Sequence, residues 1–594
     1  MSKKKVGKQQ KKSNKVKKQQ RAIKSVSAGR LTVMLHLAII LVLGTVIYSN
    51  SFDCTFHFDD IISIVNNDAI KDVSDINTIW KSNSRRFIAY LSLAINHHFG
   101  ALNVWGYHFF NLMIHLTTSL LVYWLMFITL KTPNVKSLIP VKDHHWIALV
   151  VALIFVSHPL ATQSVTYIIQ RMASMVTLFY LFAIILYLKG RLNQGSTSLS
   201  IGYFITALIA AIFALFTKEN AFTIPLVILL VEISLFKRDK IVINFSKPRI
   251  ILGCIVFLSF LLLLFSRVSS SFFQTIPPSF GHTYTVTPWN YLLTQFSVIA
   301  KYIQLLCFPI NLNFDYDYAI SNSLIEPRTF LSLGFLLALV GLSIYLFKKQ
   351  KLISFGIMWF FITISIESSF IPLADLIFEH RTYLPSVGFF MILTVGIYQL
   401  VWQKNKKIAL GLIFLIIGTN SFATYQRNKI WKNEGTLWND VIAKSPDKAR
   451  PYLCRGNYYK NLKRNKEALS DFTKSISLNP AYIEPYNNKS TTLYNEGLLT
   501  EALSYLNYAI ENSPDYTEAY INKGIVLATQ KKYSKALENF NRAIAIEPNN
   551  ADIYINRGLT YLNMGDKNKS CLDISTAIKL KHPEAQAIYN NECR

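Results

Sequence analysis

Long apolar stretches recur through the first 423 residues of this chain, and each is long enough to cross most of the roughly 30 Å of hydrocarbon in a bilayer. Inside hydrocarbon such segments are stable as helices, because a helix bonds its own backbone groups. The stretches lie near residues 30–49, 104–130, 146–162, 172–189, 201–217, 221–236, 250–267, 329–347, 352–369, 384–402 and 408–423. We therefore predict an all-α, polytopic membrane core with about 11 spans.

Positive charge sets the expected orientation of these spans. The segment 1–29 is a basic tail that leads into the first apolar stretch, which we interpret as an uncleaved signal anchor with a cytoplasmic N-terminus rather than as part of a nucleic-acid-binding tail. With this orientation the basic connections fall in the cytoplasm; they are 131–142, 189–191, 237–249, 348–351 and 404–407. The loops 50–103 and 268–328, and the chain after residue 424, then lie on the outer face.

One further stretch, 289–308, is interrupted by polar residues that include Asn290, Gln295 and Lys301. If it crossed the bilayer, the lysines at 348–351 would lie outside, against the positive-inside tendency. We interpret it as an interfacial or re-entrant helix, and the sequence leaves open whether it crosses.

Six cysteines lie at positions 54, 254, 307, 454, 571 and 593, without the Cys-x-x-Cys spacing of zinc and redox sites. We expect them to be structural and unpaired. The pairs His97-His98 and His144-His145 have no partner one helical turn away, so we predict no metal site from them.

From residue 447 onward the chain repeats with a 34-residue period, which is a strong signal for a helical solenoid. The recurring residues are Tyr452, Tyr486, Tyr520 and Tyr554; Ala468, Ala502 and Ala536; Pro480, Pro514 and Pro548; and the packing residues Gly456, Gly524, Gly558, Phe472, Leu506, Phe540 and Ile574. We predict four tetratricopeptide repeats and a closing helix over 447–594, joined to the last span by a half-repeat over 424–446 that contains Trp438. Such a solenoid binds an extended peptide or another protein in its concave groove; a dimerisation or spacer arm is the alternative.

Polar clusters flank the predicted spans, and nearly all of them fall on the predicted outer face. They mix acids, bases and amides, whereas the cytoplasmic connections carry simple Lys and Arg runs. The clusters contain Asp59-Asp60, Arg85-Arg86, His158, Gln163, Gln170-Arg171, Lys218-Glu219-Asn220 and Glu379-His380-Arg381. Their shared face favours one site for a charged substrate.

Each cluster also has a structural interpretation. Asp60 can cap a helix that begins at Ile61, and Arg171 can extend towards lipid headgroups. Lys218 can pair with Glu219 or simply end a helix. Taken singly these interpretations are favoured, but the clusters taken together favour a site.

A lipid-linked phosphate donor fits such a site, because Arg and Lys hold phosphate and a carboxylate can take a proton from an acceptor hydroxyl. We assign Asp59 as general base and Asp60 as its supporting carboxylate, since adjacent side chains point apart and do not share one role. The donor-phosphate candidates are Arg171, Lys218 and Arg381, followed by Arg86 and His380. The supporting candidates are His158, Gln170, Glu219 and Glu379.

These motifs together resemble a family, the transmembrane and tetratricopeptide repeat-containing protein O-mannosyltransferases and their bacterial relatives, within the GT-C glycosyltransferase class. The resemblance covers nearly the whole chain after residue 30. It rests on Phe58-Asp59-Asp60, Asn103-x-Trp105-Gly106-Tyr107-His108, His158-Pro159-x-Ala161-Thr162-Gln163-Ser164-Val165-Thr166-Tyr167, Gln170-Arg171, Thr217-Lys218-Glu219-Asn220-Ala221, Glu379-His380-Arg381-x-Tyr383-Leu384-Pro385-Ser386 and the repeats. The chain has Arg86-Phe87 where relatives commonly have Arg-Pro, which weakens any role assigned to the backbone shape of that loop.

The resemblance implies a polyprenyl-phosphate sugar donor, with mannose as the expected sugar, and inverting transfer to Ser or Thr hydroxyls of a protein. It also implies that an acidic residue of the first outer loop, Asp59 or Asp60, is the base. No cofactor is firmly implied, and a divalent metal, Mg or Mn, stays open.

Two other functions remain open at this point. One is a GT-C transferase acting on a glycan or lipid acceptor, and the other is a non-catalytic membrane scaffold whose repeats recruit partners. The richness in Lys, Asn and Ile favours a bacterial inner membrane over the endoplasmic reticulum membrane. The sequence does not name the sugar, the carrier length, the acceptor or the oligomeric state.

Overall fold

The computed structural model describes residues 31–193, 195–236 and 286–593. The predictions made for the tail 1–29, the connection 237–249, the span 250–267 and the loop portion 268–285 lie outside these residues. The described chain is all-α, as predicted, and it forms two compact units. The first contains the described residues before 237 together with Thr287–Phe314 and Tyr318–Asn433; the second contains Asp315–Asp317 and the described residues from Glu434 onward.

Five helices of the first unit are long and apolar enough to cross a membrane: Val104–Thr129, Ile168–Leu192, Thr197–Leu215, Pro327–Leu346 and Lys406–Lys432. A sixth span arises if Val141–Ser157 and Pro159–Val165, bent by 52° at His158, are one crossing. The break has a local cause, because Pro159 cannot donate the backbone hydrogen bond that would continue the first helix.

Four other predicted spans coincide with shorter helices, which are Leu31–Ile47, Ile224–Leu235, Lys351–Ile364 and Ser386–Trp402. At 1.5 Å per residue these helices are shorter than the roughly 30 Å hydrocarbon layer. The described residues therefore contain five or six spans by length, and the count of eleven stays a prediction. The stretch 289–308 forms one continuous helix, Pro288–Cys307, which is not among the span candidates in the described chain.

Small residues bring two of the shorter helices together. A Cβ atom on Gly388 would lie 2.5 Å from the carbonyl oxygen of Gly356, and a Cβ on Gly356 would lie 2.7 Å from the oxygen of Gly388. The helices Lys351–Ile364 and Ser386–Ile397 thus pack backbone to backbone, as apolar helices in membranes commonly do through small residues. Trp359 is fully buried beside this contact, and its indole N–H donates to the Leu384 carbonyl.

The second unit consists of helix pairs with the predicted 34-residue spacing. The pairs are Ala449–Asn461 with Asn465–Leu478, Glu484–Asn495 with Leu499–Asn512, Thr517–Thr529 with Tyr533–Ile546, and Ala551–Asn563 with Lys567–Lys579. Glu434–Lys444, which buries Trp438, precedes them, and Ala585–Glu592 follows them.

The periodic residues have periodic contacts. Gly456 and Gly524 leave room for the rings of Phe472 and Phe540, because a Cβ on either glycine would lie 2.6 Å from the ring. The hydroxyl groups of three recurring tyrosines each donate to a proline carbonyl six residues earlier: Tyr452 to Pro446, Tyr486 to Pro480 and Tyr554 to Pro548. The repeat period is therefore set by both packing and the inter-repeat turns.

Two features of the second unit were not predicted. Cys571 and Cys593 form a disulfide bond, so the expectation of unpaired cysteines is wrong for these two. The period could not reveal this pair because Cys593 lies in the closing helix region, outside the repeats. The second feature is Asp315, whose buried carboxylate pairs with Lys448 and Arg450. Although burial opposes its ionisation, these two cations hold the pKa of Asp315 well below its usual range.

The Gly356–Gly388 contact predicts a position-specific effect within one helix. Gly388→Ala should destabilise the protein by about 1–3 kcal/mol, because the added methyl group forces two backbones apart. Gly396→Ala in the same helix should be neutral or slightly stabilising, because nothing lies within 4 Å of a Cβ at that position. Thermal unfolding in detergent measures both, and equal melting temperatures for the two variants would contradict the prediction.

Candidate functional site

Asp60 is fully buried and its carboxylate joins two segments of the chain. One oxygen accepts from the backbone N–H of His57 at 2.9 Å, and the other accepts from the backbone N–H of Ile169 at 2.7 Å. It makes no side-chain capping bond to the helix Ile61–Val65, so the N-cap interpretation is wrong. The carboxylate instead ties the loop 50–103 to the turn that precedes Arg171.

Asp59 lies in a different environment from its neighbour. It is half-buried, and its backbone N–H donates to the hydroxyl of Tyr167 at 3.0 Å. That hydroxyl also interacts with the Asp59 side chain. The preceding residue, Phe58, has a left-handed backbone with φ of 42°, a strained conformation that is often found at functional sites. Residues 57–60, which we call the aspartate turn, thus hold the half-buried Asp59 in a fixed, strained loop.

The predicted cations form a second group in the same unit, which we call the cationic cluster: Arg86, Lys218, His380 and Arg381, with Glu219 and Glu367. Arg86 binds Glu219 through two N–H···O contacts of 3.2 Å. The Lys218 ammonium lies 2.5 Å from Glu367, and the Asn220 amide donates to the other oxygen of that carboxylate at 2.7 Å. The proposed Lys218–Glu219 pairing is therefore wrong, because each of these residues has a partner far away in the chain.

The two ion pairs of the cationic cluster differ in how far their side chains are exposed to solvent. The side chain of Arg86 is 38% exposed, whereas those of Lys218 and Glu367 are each 8% exposed. Burial opposes ionisation of Glu219, but the charge of Arg86 outweighs it and keeps the pKa of Glu219 below its ordinary value. Glu219 is therefore ionised at neutral pH.

Arg381 and His380 complete the cluster. The Arg381 guanidinium donates to the Tyr291 hydroxyl and to the carbonyls of Asp375 and Leu376. The His380 backbone N–H donates to the Gln163 side-chain oxygen at 2.7 Å. Burial, followed by the positive charges of Lys218, Arg381 and Arg86, lowers the pKa of His380 well below its ordinary value, so the imidazole is neutral at pH 7.

Arg171 is fully buried and belongs to a helix junction. Its guanidinium donates to Asn96 at 2.5 Å, to the Ser92 carbonyl at 3.2 Å and to the Tyr107 carbonyl at 3.3 Å. These bonds tie the start of the helix Arg171–Leu192 to the helices Phe87–Gly100 and Val104–Thr129.

The supporting candidates are distributed around these groups. Glu379 is fully buried and pairs with Arg427 at 2.7 Å, while its other oxygen accepts from the Asn313 backbone N–H. Both ring nitrogens of His158 have hydrogen-bond partners. Nδ1 accepts from the Leu160 backbone N–H, and Nε2 lies 3.3 Å from the Leu306 carbonyl oxygen. Gln170 is half-buried at the end of the one-turn helix Ile168–Gln170.

Sequence reasoning missed three residues of this region: Tyr167, Glu367 and Arg427. Tyr167 lies at the end of the motif that begins at His158, but no role was assigned to it. Glu367 lies just after the apolar helix Lys351–Ile364, and Arg427 lies in the last turn of Lys406–Asn428. A charged residue at the end of an apolar stretch is the sequence signal that could have indicated them. Within the described ranges no group of three or more His, Cys, Asp or Glu side chains is arranged to hold a metal ion.

The two bonds of Asp60 predict a structural defect in the variant Asp60→Asn. An amide nitrogen cannot accept, so one of the two backbone N–H groups would be left unpaired, at a cost of about 1–3 kcal/mol. Asp59→Asn leaves both of these Asp60 bonds in place and should lose less stability. Thermal unfolding in detergent compares the two variants, and a larger loss in Asp59→Asn would contradict the assignment.

The same residue predicts a pH dependence of stability. Burial raises the pKa of Asp60 to about 7, above the ordinary value of an aspartate in the unfolded chain. The contribution of Asp60 to the free energy of unfolding is fully present below the ordinary pKa of an aspartate. It is lost as the pH rises through about 7. The free energy of unfolding should fall between about pH 4 and pH 7, and Asp60→Asn should remove that part of the slope. A slope unchanged in the variant would exclude Asp60 as its source.

Comparison with known proteins relates both units to characterised families. Models described as "TPR repeat" and "Tetratricopeptide repeat" match residues 526–565, and 449–482 with 551–581, respectively. Among solved structures, a thermophilic TPR protein of Thermus thermophilus, TTC0263, is 20% identical with a TM-score of 0.25, covering 30% of this chain and 94% of that one.

Curated relatives match most of the chain. Protein O-mannosyl-transferase TMTC3 of Homo sapiens is 25% identical over 507 residues, covering 77% of this chain and 53% of that protein. Protein O-mannosyl-transferase F38B6.6 of Caenorhabditis elegans is 25% identical, covering 76% and 64%, and TMTC2 of Homo sapiens is 25% identical, covering 73% and 61%. The chain thus spans between about half and two thirds of the length of these relatives. It is a membrane protein with TPR repeats and a homologue of the TMTC protein O-mannosyl-transferases.

Proposed function

We propose that the chain is an integral-membrane glycosyltransferase with a GT-C-like core of about 11 spans. It transfers a sugar, with mannose expected, from a polyprenyl-phosphate donor to Ser or Thr hydroxyls of proteins. The observation that carries the proposal is the half-buried Asp59 carboxylate in a strained turn that Asp60 holds in place. The distant relationship to protein O-mannosyl-transferases supports the reaction class.

In the proposed step, the acceptor hydroxyl oxygen attacks the anomeric carbon of the donor sugar while the Asp59 carboxylate accepts the hydroxyl proton. The bond between that carbon and the phosphate oxygen breaks, and its electron pair leaves with the polyprenyl phosphate. Attack opposite the leaving group inverts the anomeric configuration. Every atom is supplied by donor, acceptor and Asp59, and no step is assigned to a metal.

The cationic cluster is the proposed site for the donor phosphate. Of the two ion-paired cations in this cluster, Arg86 is more exposed than Lys218. Its guanidinium can keep one N–H···O contact to Glu219 while it offers another N–H to the phosphate. Lys218 and Arg381 supply positive charge from buried positions, whereas the one ring N–H of neutral His380 donates to the Gln163 oxygen, so His380 lines the cluster without binding the phosphate. Arg171 is fully buried, and the bonds of its two terminal nitrogens all lie within a helix junction, so we assign it to holding that junction instead.

Two observations bear on the location of the repeats. The Cys571–Cys593 disulfide favours an oxidising compartment, because cytosolic thiols are kept reduced. The charge distribution favours a cytoplasmic N-terminus. We propose that the repeats lie outside the inner membrane of a bacterium, with the lumen of the endoplasmic reticulum as the alternative.

Substitution of Asp59 tests the reaction. Asp59→Asn should lower transfer of radiolabelled mannose from polyprenyl-phosphate mannose to a Ser/Thr peptide by about 100-fold or more, the usual contribution of a general base. The protein is purified in detergent and returned to liposomes. Asp53→Asn is the matched control, because Asp53 is an exposed aspartate of the same loop, and it should retain full transfer.

Other outcomes separate the parts of the proposal. Full transfer by Asp59→Asn would exclude it as the base. No transfer by the unmodified protein from mannose, glucose or N-acetylglucosamine donors to the peptide would overturn protein glycosylation as the function.

A further inference from the structure

Three basic connections of the first unit are joined at one short helix, Tyr398–Trp402. The Tyr398 hydroxyl donates to the Asp143 carboxylate at 2.8 Å, and the Gln399 amide donates to the Gln350 side-chain oxygen at 2.9 Å. The third connection, 404–407, follows directly after this helix. Segments that are far apart in the sequence therefore meet at their basic ends.

The joined segments carry many lysines and little negative charge. Asp143 is the only acid among residues 141–146, 346–351 and 398–407, and its carboxylate already accepts from Tyr398. Among the described residues, none of these lysines forms an ion pair with a carboxylate. All but the half-buried Lys351 are exposed. We call the seven residues the lysine patch: Lys142, Lys348, Lys349, Lys351, Lys404, Lys406 and Lys407.

The lysine patch borders surface that suits the edge of a bilayer. The rings of Trp146 and Trp402 pack with their centroids 3.9 Å apart, and the Lys406 ammonium lies 5.5 Å from the centroid of the Trp402 ring. Tryptophan is enriched at the level of the lipid headgroups. Leu400 and Ile408, on either side of the lysines at 404–407, are 69% and 61% exposed. Charge and apolar surface thus meet within a few residues.

Orientation of the spans explains only part of this arrangement. The positive-inside tendency requires that the lysines lie on one side of the membrane. It does not require that distant connections be joined by side-chain hydrogen bonds, as Tyr398 and Gln399 join them here. The joining concentrates positive charge at one place on the headgroup level.

A phospholipid fits this surface better than a soluble anion does. Lysine binds phosphate as a flexible point charge, so either ligand could use the ammonium groups. The exposed side chains of Leu400 and Ile408 offer contact to acyl chains as well, and a soluble phosphate leaves that surface unused.

We propose that the lysine patch binds the headgroup phosphate of an anionic phospholipid, whose acyl chains lie against Leu400 and Ile408. The bound phosphate supplies a shared negative charge to the three connections and reduces the repulsion among their lysines. The site is separate from the cationic cluster, and lipid binding there does not depend on the proposed transfer reaction. Because these connections are predicted to be cytoplasmic, we place the lipid in the cytoplasmic leaflet.

Site-resolved photolabelling of the full-length protein in a neutral detergent tests the proposal. The probe is phosphatidylglycerol with a diazirine in one acyl chain, close to the headgroup. It should label peptides that contain residues 398–402, and the labelling should saturate at a lower concentration than with a phosphatidylcholine probe that has the same chains. The double variant Lys351→Gln with Lys404→Gln should raise the half-saturating concentration of phosphatidylglycerol about tenfold or more, since each lysine near an anionic lipid contributes about fivefold.

The double variant Lys136→Gln with Lys189→Gln is the matched control. It removes the same charge from two other predicted cytoplasmic connections, and neither lysine belongs to the segments joined at Tyr398–Trp402. It should keep the half-saturating concentration of the unmodified protein. The basic tail 1–29 is present in every variant, so its attraction for anionic lipid is common to all of them.

Gln399→Leu tests the joining of the connections without a change of charge. It removes the bond to Gln350, so the lysines beside Gln350 are no longer held at the patch. The half-saturating concentration should rise severalfold while the thermal melt of the protein is retained.

Unchanged labelling in the Lys351 and Lys404 double variant would overturn the proposal. An equal loss in the control double variant would overturn it as well, because general attraction by charge would then explain the binding. Equal saturation by the phosphatidylcholine probe would exclude recognition of charge. Displacement of phosphatidylglycerol by millimolar inorganic phosphate at constant ionic strength would identify a soluble-anion site and overturn the lipid assignment.

Discussion

The burial of the Asp60 carboxylate is the constraint on which the candidate site depends. A carboxylate removed from water is costly unless its oxygens are satisfied, and here the backbone N–H groups of His57 and Ile169 satisfy them. Those two groups belong to the loop 50–103 and to the turn before Arg171. One side chain therefore fixes the left-handed backbone at Phe58 and the distance between Asp59 and Tyr167.

A second constraint is the neutralisation of charge near the membrane. Lys218 with Glu367, Arg86 with Glu219, and Arg427 with Glu379 are each joined across at least 48 positions of sequence. Removing one partner of a buried pair leaves an uncompensated charge, which costs about 3–5 kcal/mol. These pairs therefore bind distant segments of the first unit to one another, whatever further role the cations have.

The sequence patterns predicted features that depend on local periodicity. The 34-residue period located the helix pairs, and the apolar stretches located ten described helices, because both follow from residues close together in the chain. Pairings across long separations left no such signal. Glu367 and Arg427 were missed, the partners of Lys218 and Glu219 were wrong, and Cys571–Cys593 was not foreseen, since each depends on which segments meet in three dimensions.

The same limit explains why the two aspartates looked alike in the sequence. Adjacency showed only that their side chains point apart, whereas burial separates their roles. Asp60 is fully buried, and each of its oxygens accepts from a backbone donor, so it is closed off from a substrate. Asp59 keeps a partly exposed carboxylate beside Tyr167. A base must reach the proton that it accepts, and of the two carboxylates only that of Asp59 meets this condition without dismantling the turn that positions it.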